Sequence, residues 1–238
     1  AEGTLGIITA AVLKLYPRPQ SVATACIAVR EPAVAVALLT HLRATCGDKI
    51  NGFEIVSRSC LDLVFKHIPG MQEPFASKHE WVVIIQLADV LQAPLDAALC
   101  DAFNSFGDGI VEFEITTDSR RAEYLWKLRE SIAEAQKAEG ISIKHDISVP
   151  VSSVAEFIAE ANAALQIAYP DIRIVTFGHI GDGNIHFSFM GPKGMDRPTL
   201  SQYSPAITRA VNDLVTSLDG SISAEHGLGQ LKREAIRD

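Results

Sequence analysis

Apolar and polar positions along this chain follow two rhythms in turn. Residues 22–29 and 50–56 read as strands, and the Ala/Leu-rich stretch at 32–45 between them has helical spacing. The pattern then repeats, with strands at 81–87 and 110–116 around a helix at 95–106 and a short helix near 61–67 between the repeats. Two β-α-β runs of this kind predict an α+β fold, a ferredoxin-like duplication whose mainly antiparallel sheet carries helices on one face. Asp118 is placed to cap a long amphipathic helix reaching about residue 139, on which Leu125, Leu128, Ile132 and Ala135 form an apolar stripe. Gly140 ends it. A strand at 143–149, a helix at 154–168, a hairpin around residue 182 and a helix at 200–218 complete the prediction, with 191–198 as loop.

Composition narrows the class. The chain has 238 residues, 47% hydrophobic and 21% charged, enough to bury one large core or two small ones. A net charge of -8 with no long basic run argues against nucleic acid and against an anionic membrane surface as partners. No apolar run approaches the ~18 residues of a membrane span. Cys26, Cys46, Cys60 and Cys100 show no CxxC spacing and read as reduced thiols of a cytoplasmic protein. The chain opens on Ala1 without an initiator Met and stops in a helix-like stretch, so it reads as a fragment. Tyr16-Pro17-Arg18-Pro19 marks a boundary, because each Pro removes a backbone donor and restricts its predecessor.

Chemistry concentrates in Phe177-Gly178-His179-Ile180-Gly181-Asp182-Gly183-Asn184-Ile185-His186-Phe187 and in Ala224-Glu225-His226-Gly227. Along one continuous strand His179 and His186 would point to opposite faces. A hairpin with residues 181–184 as its loop pairs His179 with His186 instead, with Cβ atoms about 5 Å apart, so both imidazoles leave the same face. Glu225 then adds a carboxylate to two ring nitrogens, a three-ligand set that leaves a position open for substrate. An ordinary hairpin with solvated imidazoles has the same spacing, and a zinc hydrolase or a noncatalytic ferredoxin-like ligand-binding module stays open on these residues alone.

Four blocks, spread over nearly the whole chain, resemble the FAD-linked oxidases of the vanillyl-alcohol-oxidase type. The branch is the one holding D-lactate dehydrogenases, D-2-hydroxyglutarate dehydrogenases and the glycolate oxidase FAD subunit. The blocks are Glu2-Gly3-Thr4-Leu5-Gly6-Ile7-Ile8-Thr9, Leu125-Trp126-Lys127-Leu128-Arg129-Glu130-Ser131-Ile132, the histidine hairpin, and Ala224-Glu225-His226-Gly227-Leu228-Gly229 with Lys232. The resemblance implies that residues 1–19 are the tail of a flavin domain and 20–238 a substrate, or cap, domain. It implies a divalent metal, Zn or Mn, on His179, His186 and Glu225, and FAD in the parent protein, with Gly3, Gly6 and Ile8 as the last of the flavin wall. It assigns Arg129 and Lys144 to the substrate carboxylate and makes His226 the general base that takes the hydroxyl proton of a D-2-hydroxy acid as hydride passes to flavin. The implied partners are a small 2-hydroxy-acid substrate and an unidentified electron acceptor, with homodimerisation open. Two departures touch specificity. Ala133 stands where hydroxyglutarate-type members carry Thr, and Ser188 where Asn is frequent, so the acid is left open among lactate, glycolate and other D-2-hydroxy acids.

Overall fold

The computed structural model of the protein describes residues 5–230 and 232. β1 (Ser21–Val29), α1 (Pro32–Cys46), β2 (Ile50–Ser57), α2 (Arg58–His67), β3 (Trp81–Asp89), α3 (Leu95–Phe106) and β4 (Ile110–Thr116) come first. Their strands lie in the antiparallel order β4-β1-β3-β2, that of a ferredoxin-like unit. The two β-α-β runs of the sequence therefore interleave into a single unit, because each supplies one inner and one outer strand. After α4 (Ser119–Glu130) and α5 (Ile132–Glu139), the plan recurs in β5 (Ser142–Ser148), α6 (Val154–Ala168), β6 (Arg173–His179), β7 (Asn184–Met190) and α7 (Arg197–Ser217). Their order is β6-β7-β5, and among the described residues the outer edge of β5, where a fourth strand would pair, carries only a rudiment. There Ser221 bridges Ser148, and the Ala224 N–H donates to the Asp146 carbonyl at 3.2 Å. β2 pairs with β6 and fuses the two units into one seven-stranded antiparallel sheet.

The helices, expected on one face, cover both. Strand β1 is apolar on each side, with Ala23, Ala25 and Ile27 facing one way and Cys26 and Ala28 the other, so each face needs a cover. Residues from α1, α3, α6 and α7, such as Leu38, Phe103, Phe157 and Val211, pack on the first. α2, α4 and α5 pack on the second through Leu61, Leu125, Leu128, Ile132 and Ala135, the stripe anticipated from spacing. The single helix expected over 118–139 is divided at Ser131 (φ -78°, ψ -6°), whose N–H donates to the Lys127 carbonyl at 3.1 Å. Its start is as anticipated, since the Asp118 carboxylate accepts from the Arg121 N–H at 2.9 Å. Cys26, Cys46 and Cys60 are buried and Cys100 partly so, all four as free thiols. Among the described residues no helix is long and apolar enough to cross a membrane.

The hairpin differs from its expected register by an informative amount. His179 pairs with Asn184 and Phe177 with His186, and the turn is a 3-10 segment over Ile180–Asp182 closed by Gly183. Ile180 is fully buried, which draws it out of the ladder and into the core. A shift of two preserves side-chain parity, so the histidines become diagonal neighbours on the same face. Gly183 sits at φ +76°, and a Cβ there would lie 1.9 Å from the Val149 carbonyl oxygen. Gly183→Ala is therefore expected to cost about 2–4 kcal/mol, through a left-handed backbone and a backbone clash together, read by denaturant unfolding.

α2, α5 and β6 also meet around Glu139. Its carboxylate, 4% exposed, lies 2.5 Å from Lys66 Nζ, 2.5 Å from His67 Nε2 and 2.7 Å from Arg173 Nη1. Hydrogen bonds from Lys66, His67 and Arg173 hold its carboxyl at about 2, below the ordinary 4.5. A depressed carboxylate adds stability above its unfolded-state value and loses it as pH falls toward the folded one. Stability is expected to decline between pH 4.5 and about 2 through this group. In Glu139→Gln that part of the acid limb should flatten in a pH series of unfolding free energies.

Candidate functional site

Register alone brings distant residues into one row of side chains. Glu54 pairs with His179, Phe177 with His186, His186 with Asp146, and Ser188 with Lys144, so all seven residues share the sheet face under α4 and α5. They line a cavity of about 650 Å³ together with Arg129, Glu225 and His226. The structure thus places His179, His186, Glu225, Arg129, Lys144 and His226 on one cavity wall. It does not bring Gly6 or Ile8 to this cavity, because residues 5–19 are exposed and outside regular structure, with Ile8 88% exposed. Gly3 lies outside the described residues.

Two carboxylates that sequence reasoning missed orient the imidazoles. Glu54, 3% exposed, has Oε1 2.5 Å from His179 Nδ1 and accepts from Arg129 Nε on Oε2 at 3.0 Å. Asp146, 8% exposed, has Oδ1 3.3 Å from His186 Nδ1. Glu54 engages His179 Nδ1, and Asp146 Oδ1 lies behind His186 Nδ1 at 3.3 Å without a hydrogen bond between them, while the Nε2 atoms turn toward Glu225, at 3.0 Å from His179 and 3.9 Å from His186. One donor atom from each of the three lies within 4.8 Å of the others. A ring fixed by a carboxylate behind it and presenting Nε2 forward is how metal-binding histidines are commonly supported, so the residues fit a divalent ion. The signal was there to be read for Glu54, a lone acid between Phe53 and Ile55 inside a strand, and less so for Asp146, which stands between His145 and Ile147.

Asp146 also sets the loop. Its Oδ2 accepts the backbone N–H groups of both Glu225 and His226 at 2.9 Å, which holds the pair against the edge of β5. Arg129 is fixed by Glu54 and by stacking 4.9 Å over the Phe177 ring, while Nη2 approaches His179 Nε2 at 3.0 Å. Upstream, Gly52 admits Trp126, whose ring lies 2.8 Å from where a Cβ would be, and so lets α4 settle close to the sheet. The two imidazoles differ in charge preference. The hydrogen bond with Glu54 raises the His179 pKa above 6.5, against the opposing effect of burial, whereas burial lowers that of His186 despite Asp146 and Glu225.

A duplicated ferredoxin-like domain with a His/His/carboxylate cluster beside a fixed arginine is the class that fold and site define. A match over residues 18–238 shows that the chain belongs to the family of FAD linked oxidases, C-terminal domain. It is 34% identical over 237 residues to a D-2-hydroxyglutarate dehydrogenase of Xanthomonas citri pv. viticola, covering 99% of this chain and 49% of that protein. A probable mitochondrial D-2-hydroxyglutarate dehydrogenase of Oryza sativa subsp. japonica is 31% identical, with 99% of this chain and 41% of the relative covered. The chain therefore spans about half or less of the length of these relatives. The fold is shared with p-cresol methylhydroxylase with substrate bound (TM-score 0.61, 15% identity, 87% of this chain and 46% of that one). It is shared too with alkyldihydroxyacetonephosphate synthase (TM-score 0.62, 16% identity, 98% and 46%).

Zn or Mn titrated into the intact protein is expected to bind at this cluster. Glu54→Gln, which weakens the support behind His179, should lower the affinity about 10- to 100-fold by calorimetry. Ligand nitrogens must be unprotonated, and the His179 pKa is raised, so affinity should begin to fall with decreasing pH while still above 6.5.

Proposed function

We propose that this chain is the substrate side of a flavin-dependent enzyme that oxidises a D-2-hydroxy acid to the 2-oxo acid. One observation carries the reading. A single buried carboxylate, Asp146, holds Glu225 and His226 beside two carboxylate-backed histidines, in the same cavity as a fixed arginine. The family is FAD-linked and the curated relatives cited above are named for a D-2-hydroxy acid, which supports the same class. His179, His186 and Glu225 would hold the divalent ion. When bound, the ion would supply Lewis acidity toward the substrate hydroxyl and the flavin would supply a hydride acceptor. Flavin contacts from Gly3, Gly6 and Ile8 belong to the proposal, with the rest of the flavin site in the half of the protein outside this chain.

The chain's own residues do the positioning and the proton transfer. Arg129 presents a planar cationic fork to the substrate carboxylate, with Lys144 adding a second positive charge along the cavity. His226, exposed to the cavity and fixed through its backbone, takes the hydroxyl proton. A hydrolase would need a free carboxylate base to activate water. Glu54 is instead engaged with His179 and Arg129 and Asp146 with the loop amides, and Glu130, the further acid on the cavity wall, is not part of the His179, His186 and Glu225 cluster. A cytoplasmic setting is part of the same proposal, carried by the four free thiols, although the rice relative is named as mitochondrial.

In the intact flavoprotein, His226→Ala should lower turnover of D-2-hydroxy acids by about 100-fold or more while metal content stays at the wild-type level. Stopped-flow flavin bleaching and elemental analysis check the two halves. Near-normal bleaching by the variant would refute the base, and no bleaching of the wild type by D-lactate, glycolate, D-malate or D-2-hydroxyglutarate would refute the function.

A further inference from the structure

Asp146 fixes half of the backbone around His226. Its Oδ2 holds the His226 N–H, which belongs to the peptide plane before the Cα, whereas the plane after it carries the His226 carbonyl and leads into Gly227. Glycine has no side chain to resist rotation of that second plane. The carbonyl is held from another direction. Ser223 Oγ donates to the His226 carbonyl oxygen and accepts from Lys232 Nζ at 3.3 Å, while the same ammonium donates to the Ile222 carbonyl at 2.8 Å. Chemistry fixes the polarity of this relay. A lysine ammonium can only donate and a serine hydroxyl has one proton, so the bond from Lys232 occupies a Ser223 lone pair and leaves the proton for His226. Ser223 is in turn anchored to the sheet, since its N–H donates to Ser221 Oγ at 3.3 Å and its carbonyl accepts from Ser221 Oγ at 2.9 Å. Ser221 exchanges two backbone bonds with Ser148 of β5, at 2.7 and 2.9 Å.

We propose that Ser223 and Lys232 are positioning residues for His226, holding the peptide plane after its Cα as Asp146 holds the one before it. The His226 side chain is exposed, so packing does not set its direction and the backbone must. With both planes fixed, the imidazole leaves the chain in one direction. Glu225 is attached differently, because its own N–H goes to Asp146 and its carboxylate faces His179. Loss of the relay therefore falls on proton transfer rather than on metal binding. The assignment rests on the reading of His226 as the base and adds what aims it.

The test uses the intact flavoprotein with Ser223→Ala and Lys232→Met, singly, together, and each combined with His226→Ala, with thermal melts to confirm folding. For the acid that bleaches the wild-type flavin fastest, kcat and KM are measured in each variant, and Zn or Mn affinity is measured by calorimetry. The expected result is a fall of about 10-fold or more in kcat for either single variant, with KM and metal affinity unchanged. The double variant should lose little more than either single one, because both act through one bond to His226. In the His226→Ala background neither substitution should lower kcat further. An unchanged kcat, a loss carried by KM or by metal affinity, or an undiminished loss in the His226→Ala background overturns the positioning role. If Lys232→Met does not fold, Ser223→Ala decides. If the wild type oxidises none of the acids, the functional reading fails instead. Hydrogen–deuterium exchange over residues 222–228 then decides the relay alone, with faster exchange expected in the variants and wild-type rates overturning it.

Discussion

One buried carboxylate ties the site to the fold. Asp146 stands in the middle of β5, and its two oxygens do different work: Oδ1 faces the His186 ring, and Oδ2 accepts two consecutive loop N–H groups at 2.9 Å. Without the second, the loop carrying Glu225 and His226 would, among the described residues, be attached to the β5 backbone only through the Ser148–Ser221 bridge and the Ala224 N–H. A charged acceptor for two backbone donors is the kind of hydrogen bond that outlasts exposure to solvent, and 8% exposure keeps it in a low-dielectric setting. The positions of Glu225 and His226 therefore follow from the placement of a single strand residue.

That strand can carry the loop because, among the described residues, no fourth strand pairs with its outer edge. Where a fourth strand would pair with β5, the chain makes only the contacts around Ser148 and Asp146 and then turns across the sheet face. A complete strand would have spent its backbone donors on the β5 ladder and left Glu225 and His226 alternating between faces. The unfinished edge instead leaves Oδ2 of Asp146 to collect both amides. At the other end of the row the first unit contributes Glu54 through the β2–β6 pairing, so the cluster lies where the duplicated units join.

Much of this was legible in the residues. Strand and helix positions followed from period and from punctuating Gly and Pro, and Asp118 marked the start of α4 through the capping chemistry seen in its bond to Arg121. The shared face of His179 and His186 was also legible, since parity survives a register error of two. The register itself was not, because it depends on the core claiming Ile180. The division at Ser131 was equally hidden, as the apolar stripe runs through it unbroken from Leu125 to Ala135.

By itself the sequence determined the α+β class and the shared parity of His179 and His186, because those depend on local periodicity. Tertiary structure decided that helices cover both faces and that Glu54 and Asp146 stand behind the histidines. These are facts of pairing between residues far apart in the chain, such as Glu54 and His179, and no local pattern encodes which strand lies beside which.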